Sequence, residues 1–141
     1  MRRFDWETRL FALVEARSAM PFVWGEHDCA LFAGDAIEAM TGVDPASSFR
    51  GRYRTQAGAV RVMKKFAGGG LREAARKITA EIGATEIPPL FARRGDIALS
   101  VSTIDGEPVL AVCDGQWWVA AGQEGLQRTP LSQAAIAWRV G

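Results

Sequence analysis

Histidine, tyrosine and cysteine are scarce in this 141-residue chain, which has one, one and two of them. Cys29 and Cys113 stand far apart with no metal-ligand spacing, so neither a metal site nor a bound cofactor is expected. With synthesis in a reducing cytoplasm expected, a structural disulfide is not. No apolar run reaches the length of a membrane span, because charge or glycine interrupts each candidate. The opening Met1-Arg2-Arg3-Phe4-Asp5-Trp6-Glu7 begins basic, acquires acids at once and lacks the apolar stretch of a signal peptide. A strong net charge is also missing: seventeen Lys and Arg face sixteen Asp and Glu.

What is present fits an ordinary globular chain, 48% hydrophobic and 23% charged, expected to form one domain over 1–141. The near-neutral balance hides an uneven distribution. Arg50, Arg52, Arg54, Arg61, Lys64, Lys65, Arg72, Arg76 and Lys77 are opposed between 50 and 77 only by Glu73. That segment therefore carries +8, and the remainder sums to −7 to give the chain's +1. A basic block in an acidic frame marks either a solvated helical face or a docking surface for an anionic partner. No aromatic ladder or nucleic-acid motif accompanies it, so nucleic-acid binding is not expected.

The first half of the chain reads as helical. Asp5 is placed to cap a helix with Trp6, Leu10, Leu13 and Val14 on one face, ended by Pro21. A second helix is expected over 28–41, with Cys29, Phe32, Ala33, Ala36, Ile37 and Met40 on its apolar stripe and Gly42 after its end. Two more are expected near 59–66 and 71–82, separated by Gly68-Gly69-Gly70. After Pro88-Pro89 the pattern becomes extended. Ile97, Leu99 and Val101 alternate with smaller residues, and Asp105-Gly106 and Asp114-Gly115 bracket a run at 109–113. Further strands are expected at 116–121 and 135–140. Helices followed by an antiparallel meander give an α+β fold.

The most informative stretch is Pro21-Phe22-Val23-Trp24-Gly25-Glu26-His27-Asp28-Cys29-Ala30-Leu31. It sets a cysteine in the first turn of a helix, after a capping aspartate, where unpaired N–H groups favour a thiolate. Such a thiolate is the nucleophile of cysteine chemistry when a base stands beside it. The bland readings are a small core residue for Cys29, a loop residue bonded to backbone for His27 and a helix cap for Asp28. Cys113 falls in a predicted strand and is read as inert. Trp24, Trp117, Trp118 and Trp138 are read as core or interface aromatics. Trp117 and Trp118 point to opposite faces of their strand, which leaves one of them free for a partner.

These blocks resemble the NlpC-type, papain-like cysteine peptidases. Phe22-Val23-Trp24-Gly25 leading into Asp28-Cys29-Ala30-Leu31 is similar to that family's nucleophile motif. Gly95-Asp96-Ile97 and Val109-Leu110-Ala111-Val112-Cys113-Asp114-Gly115 are similar to its two strand motifs, in the same order. The resemblance implies a papain-like core in which the Cys29 helix packs on an antiparallel meander, with the basic helical segment at about 50–83 as an elaboration. It implies catalytic candidates Cys29 and His27. It also puts the family's base histidine at Val109 and its orienting tyrosine at Phe22, neither of which can do that work. Gln123 stands near where a third polar group would orient a base.

Two functions follow from that pattern. The leading one is a structural component of a phage or prophage tail tip, a degenerate peptidase whose partners are other tail proteins such as hub or distal tail subunits. It would reach the virion tail after synthesis in the bacterial host cytoplasm, with no membrane association. The alternative is a working cysteine amidase or endopeptidase that cleaves peptidoglycan peptide stems through Cys29. His27 is expected to lie out of hydrogen-bond reach of the Cys29 sulfur.

Overall fold

The computed structural model describes residues 1–141. Four helices come first: α1 (Trp6–Arg17), α2 (Cys29–Thr41), α3 (Gln56–Ala67) and α4 (Leu71–Glu81). Six strands follow: β1 (Thr85–Ile87), β2 (Ile97–Val101), β3 (Pro108–Cys113), β4 (Trp118–Ala121), β5 (Leu126–Thr129) and β6 (Ile136–Arg139). The α+β class is as the sequence indicates. No helix is long and apolar enough to cross a membrane.

Local chemistry explains both limits of α2 and the start of α3. Asp28 caps α2 by accepting from the Leu31 N–H, and Gly42 closes it in the left-handed conformation at φ 83°. Thr55 caps α3 through the Gly58 N–H, which starts that helix earlier than its apolar pattern indicates. Asp5 stands at the α1 N-cap position but makes no side-chain cap bond. Its carboxylate instead accepts from Arg9 Nε at 2.9 Å, one turn ahead. The first helix ends at Arg17, before Pro21 is reached.

Helix α2 is buried on nearly every side. Leu31, Phe32, Ile37 and Met40 are at most 1% exposed, and Ala30, Ala33, Gly34 and Ala36 are buried with them. A one-sided stripe does not describe it, because α1 covers one flank and the sheet the other. The main core joins α2 to Leu10 of α1, Met63 of α3, Ile78 of α4 and the sheet residues Ile97, Leu110, Val112, Val119 and Trp138.

The sheet is antiparallel with strand order β1-β6-β2-β3-β4-β5. A simple meander is therefore corrected: only β2 to β5 run in sequence. Pro130 and the turn Leu131–Gln133 redirect the chain so that β6 returns to the far side of β2, and β1 adds outside it. Both β1 and β5 are absent from the sequence reading. The sheet also curls. Ser100 Oγ on β2 lies 3.3 Å from Thr129 Oγ1 on β5, although two strands separate them. A flat sheet would hold them about 14 Å apart at ordinary strand spacing. The concave face so formed has little room, and it carries Ala98, Ala111, Ala120 and Ala137 around Trp118 and Cys113, all buried. The Trp118 indole N–H is satisfied there by the Leu131 carbonyl at 3.0 Å, while Trp117 remains on the surface.

Candidate functional site

The segment Phe22–Asp28 reverses the chain between α1 and α2, and its geometry depends on Gly25. The glycine has φ 82°, and a Cβ there would collide with the Tyr53 carbonyl oxygen. Gly25 is thus a packing requirement: only glycine lets the loop that leads into α3 lie against the entrance of α2. Val23 and His27 close the reversal by exchanging backbone hydrogen bonds, at 3.0 and 2.8 Å.

Asp28 is 1% exposed and fully engaged. Its Oδ1 accepts from the Leu31 N–H at 3.0 Å. Its Oδ2 accepts from the Gly25 N–H at 3.0 Å and from the Tyr53 hydroxyl at 2.6 Å. The carboxylate is therefore a cap and a clasp. Burial, then the Asp28 charge, raise the Tyr53 hydroxyl's pKa well above its ordinary value, so Tyr53 remains a donor.

Cys29 follows at the first residue of α2, in contact with both hydrophobic clusters and mostly buried at the edge of a cleft. Burial is the main influence on its thiol, and Asp28 beside it adds to the effect. The backbone amides of Leu110 and Ala30 pull the other way, and the balance leaves the thiol pKa pushed up to about 12. The helix terminus does lower the pKa, as its partial charge requires, but desolvation outweighs it here.

The cleft over Cys29 has a volume of about 840 Å³ and lies between the α3–α4 pair and the β2–β3 hairpin. Phe22, Val109 and Gln123 line it together with Cys29. Three residues singled out by the sequence reading thus share one cavity with the cysteine. The charged residues among its lining are all acidic, Asp28, Asp105 and Glu107. The basic side chains of 50–77 face outward or are held elsewhere, as Arg50 is by Asp35 and Asp44.

His27 is not brought to Cys29. Its ring is 1% exposed and packs edge-on to Phe32 at 5.6 Å. Arg17 Nη1 donates to its Nδ1 at 3.1 Å, so Nε2 carries the proton in the neutral ring, and Nε2 has no partner. Neither nitrogen bonds to sulfur. The sequence reading of a ring bonded to backbone is corrected to a ring bonded to an arginine. Burial, then Arg17, hold the imidazole below its ordinary pKa, against the raising influence of Asp35 and Asp28.

Arg17 belongs to a chain of charges that sequence spacing does not disclose. Its Nη2 meets Asp35 Oδ2 at 2.9 Å, and Arg50 joins Asp35 Oδ1 at 2.7 Å to Asp44 Oδ2 at 2.9 Å. Tyr53 is likewise absent from the sequence-level site, since nothing local marks a residue 25 positions from its partner. Asp96, within Gly95-Asp96-Ile97, is fully buried and ties Arg2 to Arg139. Cys113 is also buried, and its sulfur accepts from the Gly115 N–H at 3.4 Å.

Among curated proteins nothing matches the chain. One family model covers residues 1–140, nearly the entire sequence. The chain thus belongs to the DUF6950 family, a domain of unknown function.

Proposed function

We propose that this domain acts by binding, as a non-catalytic component of a phage or prophage tail tip, on a scaffold resembling the NlpC-type peptidases. The observation that carries the reading is the composition of the cleft over Cys29. A valine stands at the position aligned with the family's base, and the single imidazole is locked beneath Arg17 outside the cleft. A papain-like thiol needs a base to become a nucleophile and an acid to release the amine, and no side chain lining the cleft is suited to both tasks at neutral pH.

The docking surface in this reading is the outer face of α3 and α4. Arg61, Lys64, Lys65, Arg72 and Arg76 are exposed there and form no ion pairs. They would steer the domain onto an acidic neighbour, a hub or distal tail subunit, and set its orientation. Exposed Trp117 offers a second contact.

The test is assembly of tail particles with wild type, Cys29→Ala and the pair Lys64→Glu/Lys65→Glu. Equal incorporation of wild type and Cys29→Ala, with loss for the charge reversal, is the expected result. Incorporation indifferent to the reversal would refute the docking face, and particles that never take up the wild type would refute the tail assignment.

A second reading, a cysteine amidase acting on peptidoglycan peptide stems, is favoured by one feature. Cys29 opens at a helix N-terminus into a cleft large enough for a peptide. It requires a base from outside the cleft's present lining.

A further inference from the structure

Away from the cleft, the start of the chain, the turn before β2 and the end of β6 meet at a concavity of about 390 Å³. Arg2, Arg93, Arg94 and Arg139 line it with Trp6, Glu7 and Gly141. Two carboxylates answer these four guanidiniums. Asp96, buried beneath them, accepts from Arg2 Nη2 at 3.3 Å and from Arg139 Nη2 at 3.0 Å, and from the Arg93 backbone N–H at 2.8 Å. Glu7, on the rim, accepts from Arg94 Nη1 at 3.2 Å.

Two of the arginines are structural. Arg2 also donates to the Val140 and Arg94 carbonyls and lies 4.2 Å from the Trp6 ring centroid. Arg139 reaches the Phe91 carbonyl as well as Asp96. Their mutual repulsion is felt: burial first, and Arg139 among the charges, hold Arg2 below its ordinary pKa. The other two are adjacent in sequence and exposed. The Arg93 side chain has no partner, and Arg94 has a free Nη2 after reaching Glu7 and the Asp114 carbonyl. Arg139 Nη1 is free as well. Unused N–H donors on three guanidiniums thus surround a pocket that retains excess positive charge.

We infer that this pocket is an anion site for a terminal phosphate group. One carboxylate is satisfied by one bidentate guanidinium, whereas a tetrahedral phosphate offers three terminal oxygens, one for each free guanidinium edge. Asp96 holds Arg139 and the Arg93 backbone in place before the ligand arrives, so little is lost in ordering them. The site is separate from the Cys29 cleft, and its test does not depend on the function proposed above.

The experiment is a titration of the folded chain with inorganic phosphate at low ionic strength, followed by NMR of the arginine Nε–H groups, the Arg93–Asp96 amides and the Trp6 indole. Acetate serves as a second arm. Variants are Arg93→Gln, whose side chain makes no hydrogen bond or ion pair, and the remote pair Lys64→Gln/Lys65→Gln. The expected result is saturable one-site binding centred on the pocket, weakened at least about tenfold by Arg93→Gln and little changed by the remote pair. Absence of saturable shifts at the pocket would overturn the site, as would equal weakening in both variants, which marks diffuse attraction. Acetate binding as tight as phosphate would overturn the ligand class.

Discussion

The Tyr53 hydroxyl donates to Asp28 Oδ2 at 2.6 Å, joining the entry of α3 to the N-cap of the helix that bears Cys29. The contact is buried and charge-assisted, and it adds a long-range donor to a carboxylate that already caps α2 locally. Tyr53→Phe removes one donor and leaves the Gly25 and Leu31 amides in place. The expected cost is about 1.5–3 kcal/mol in denaturant unfolding, the range for a hydrogen bond to a charged group. A loss well under that range would mean that the two amides alone satisfy the carboxylate.

Gly25→Ala addresses the same junction from the other side. Its positive φ costs about 1–2 kcal/mol for a non-glycine residue, and the new Cβ must also displace the Tyr53 carbonyl. The expected destabilisation is about 2–5 kcal/mol by chemical denaturation. By contrast, Gly51 also has positive φ, 78°, but a Cβ there meets nothing, so Gly51→Ala isolates the backbone contribution.

Acid should weaken the fold through His27. Its pKa in the native state lies below the ordinary 6.5, because burial and Arg17 disfavour the charged ring. The unfolded chain therefore takes up a proton first as pH falls, and stability tied to the neutral ring is present above about 6.5 and declines from there toward the native pKa. Unfolding measured from pH 8 to pH 5 should show this loss, and His27→Gln should flatten it. A wild-type curve parallel to that of His27→Gln across this window would contradict the tautomer and burial described for the ring.

The elements legible in the sequence were those whose signals are local. Periodicity and caps located α2, α3 and α4 to within a few residues, and the Asp-Gly turns located the hairpins around β3. Strands β1 and β5 leave no such signal, because neither alternates clearly: Thr85–Ile87 has three residues, and Leu126-Gln127-Arg128-Thr129 has one aliphatic side chain. The return of β6 beside β2 was also hidden, since pairing order depends on the curl of the whole sheet. At the candidate site, the Asp28 cap and the helix-start cysteine were readable from adjacent residues. Arg17 over His27 and Tyr53 on Asp28 were not, because a hydrogen bond between distant segments leaves no spacing to read. The thiol's raised pKa was opposite to the helix-end expectation, for burial is a tertiary property.

Cys29 reactivity provides a check of that last point. With a pKa of about 12 the thiolate fraction at pH 8 is about 10⁻⁴, against about 10⁻¹ for a free thiol of pKa 9. Alkylation of the native protein by iodoacetamide, followed by mass spectrometry, should be slow at Cys29 at pH 8 and rise steeply only in strong alkali. Val109→His, which places an imidazole in the cleft that Val109 and Cys29 share, should accelerate it near neutrality. Rapid alkylation of the wild type with a plateau near neutral pH would contradict the buried, base-free thiol.

The central claim, binding without turnover, is tested most directly by incubating purified protein with peptidoglycan fragments beside Cys29→Ala and resolving the products by mass spectrometry. Without an imidazole in the cleft, a papain-like site should lose several orders of magnitude in rate. The account predicts no fragment release from either protein. Release by the wild type that vanishes in Cys29→Ala would contradict it and establish the hydrolase.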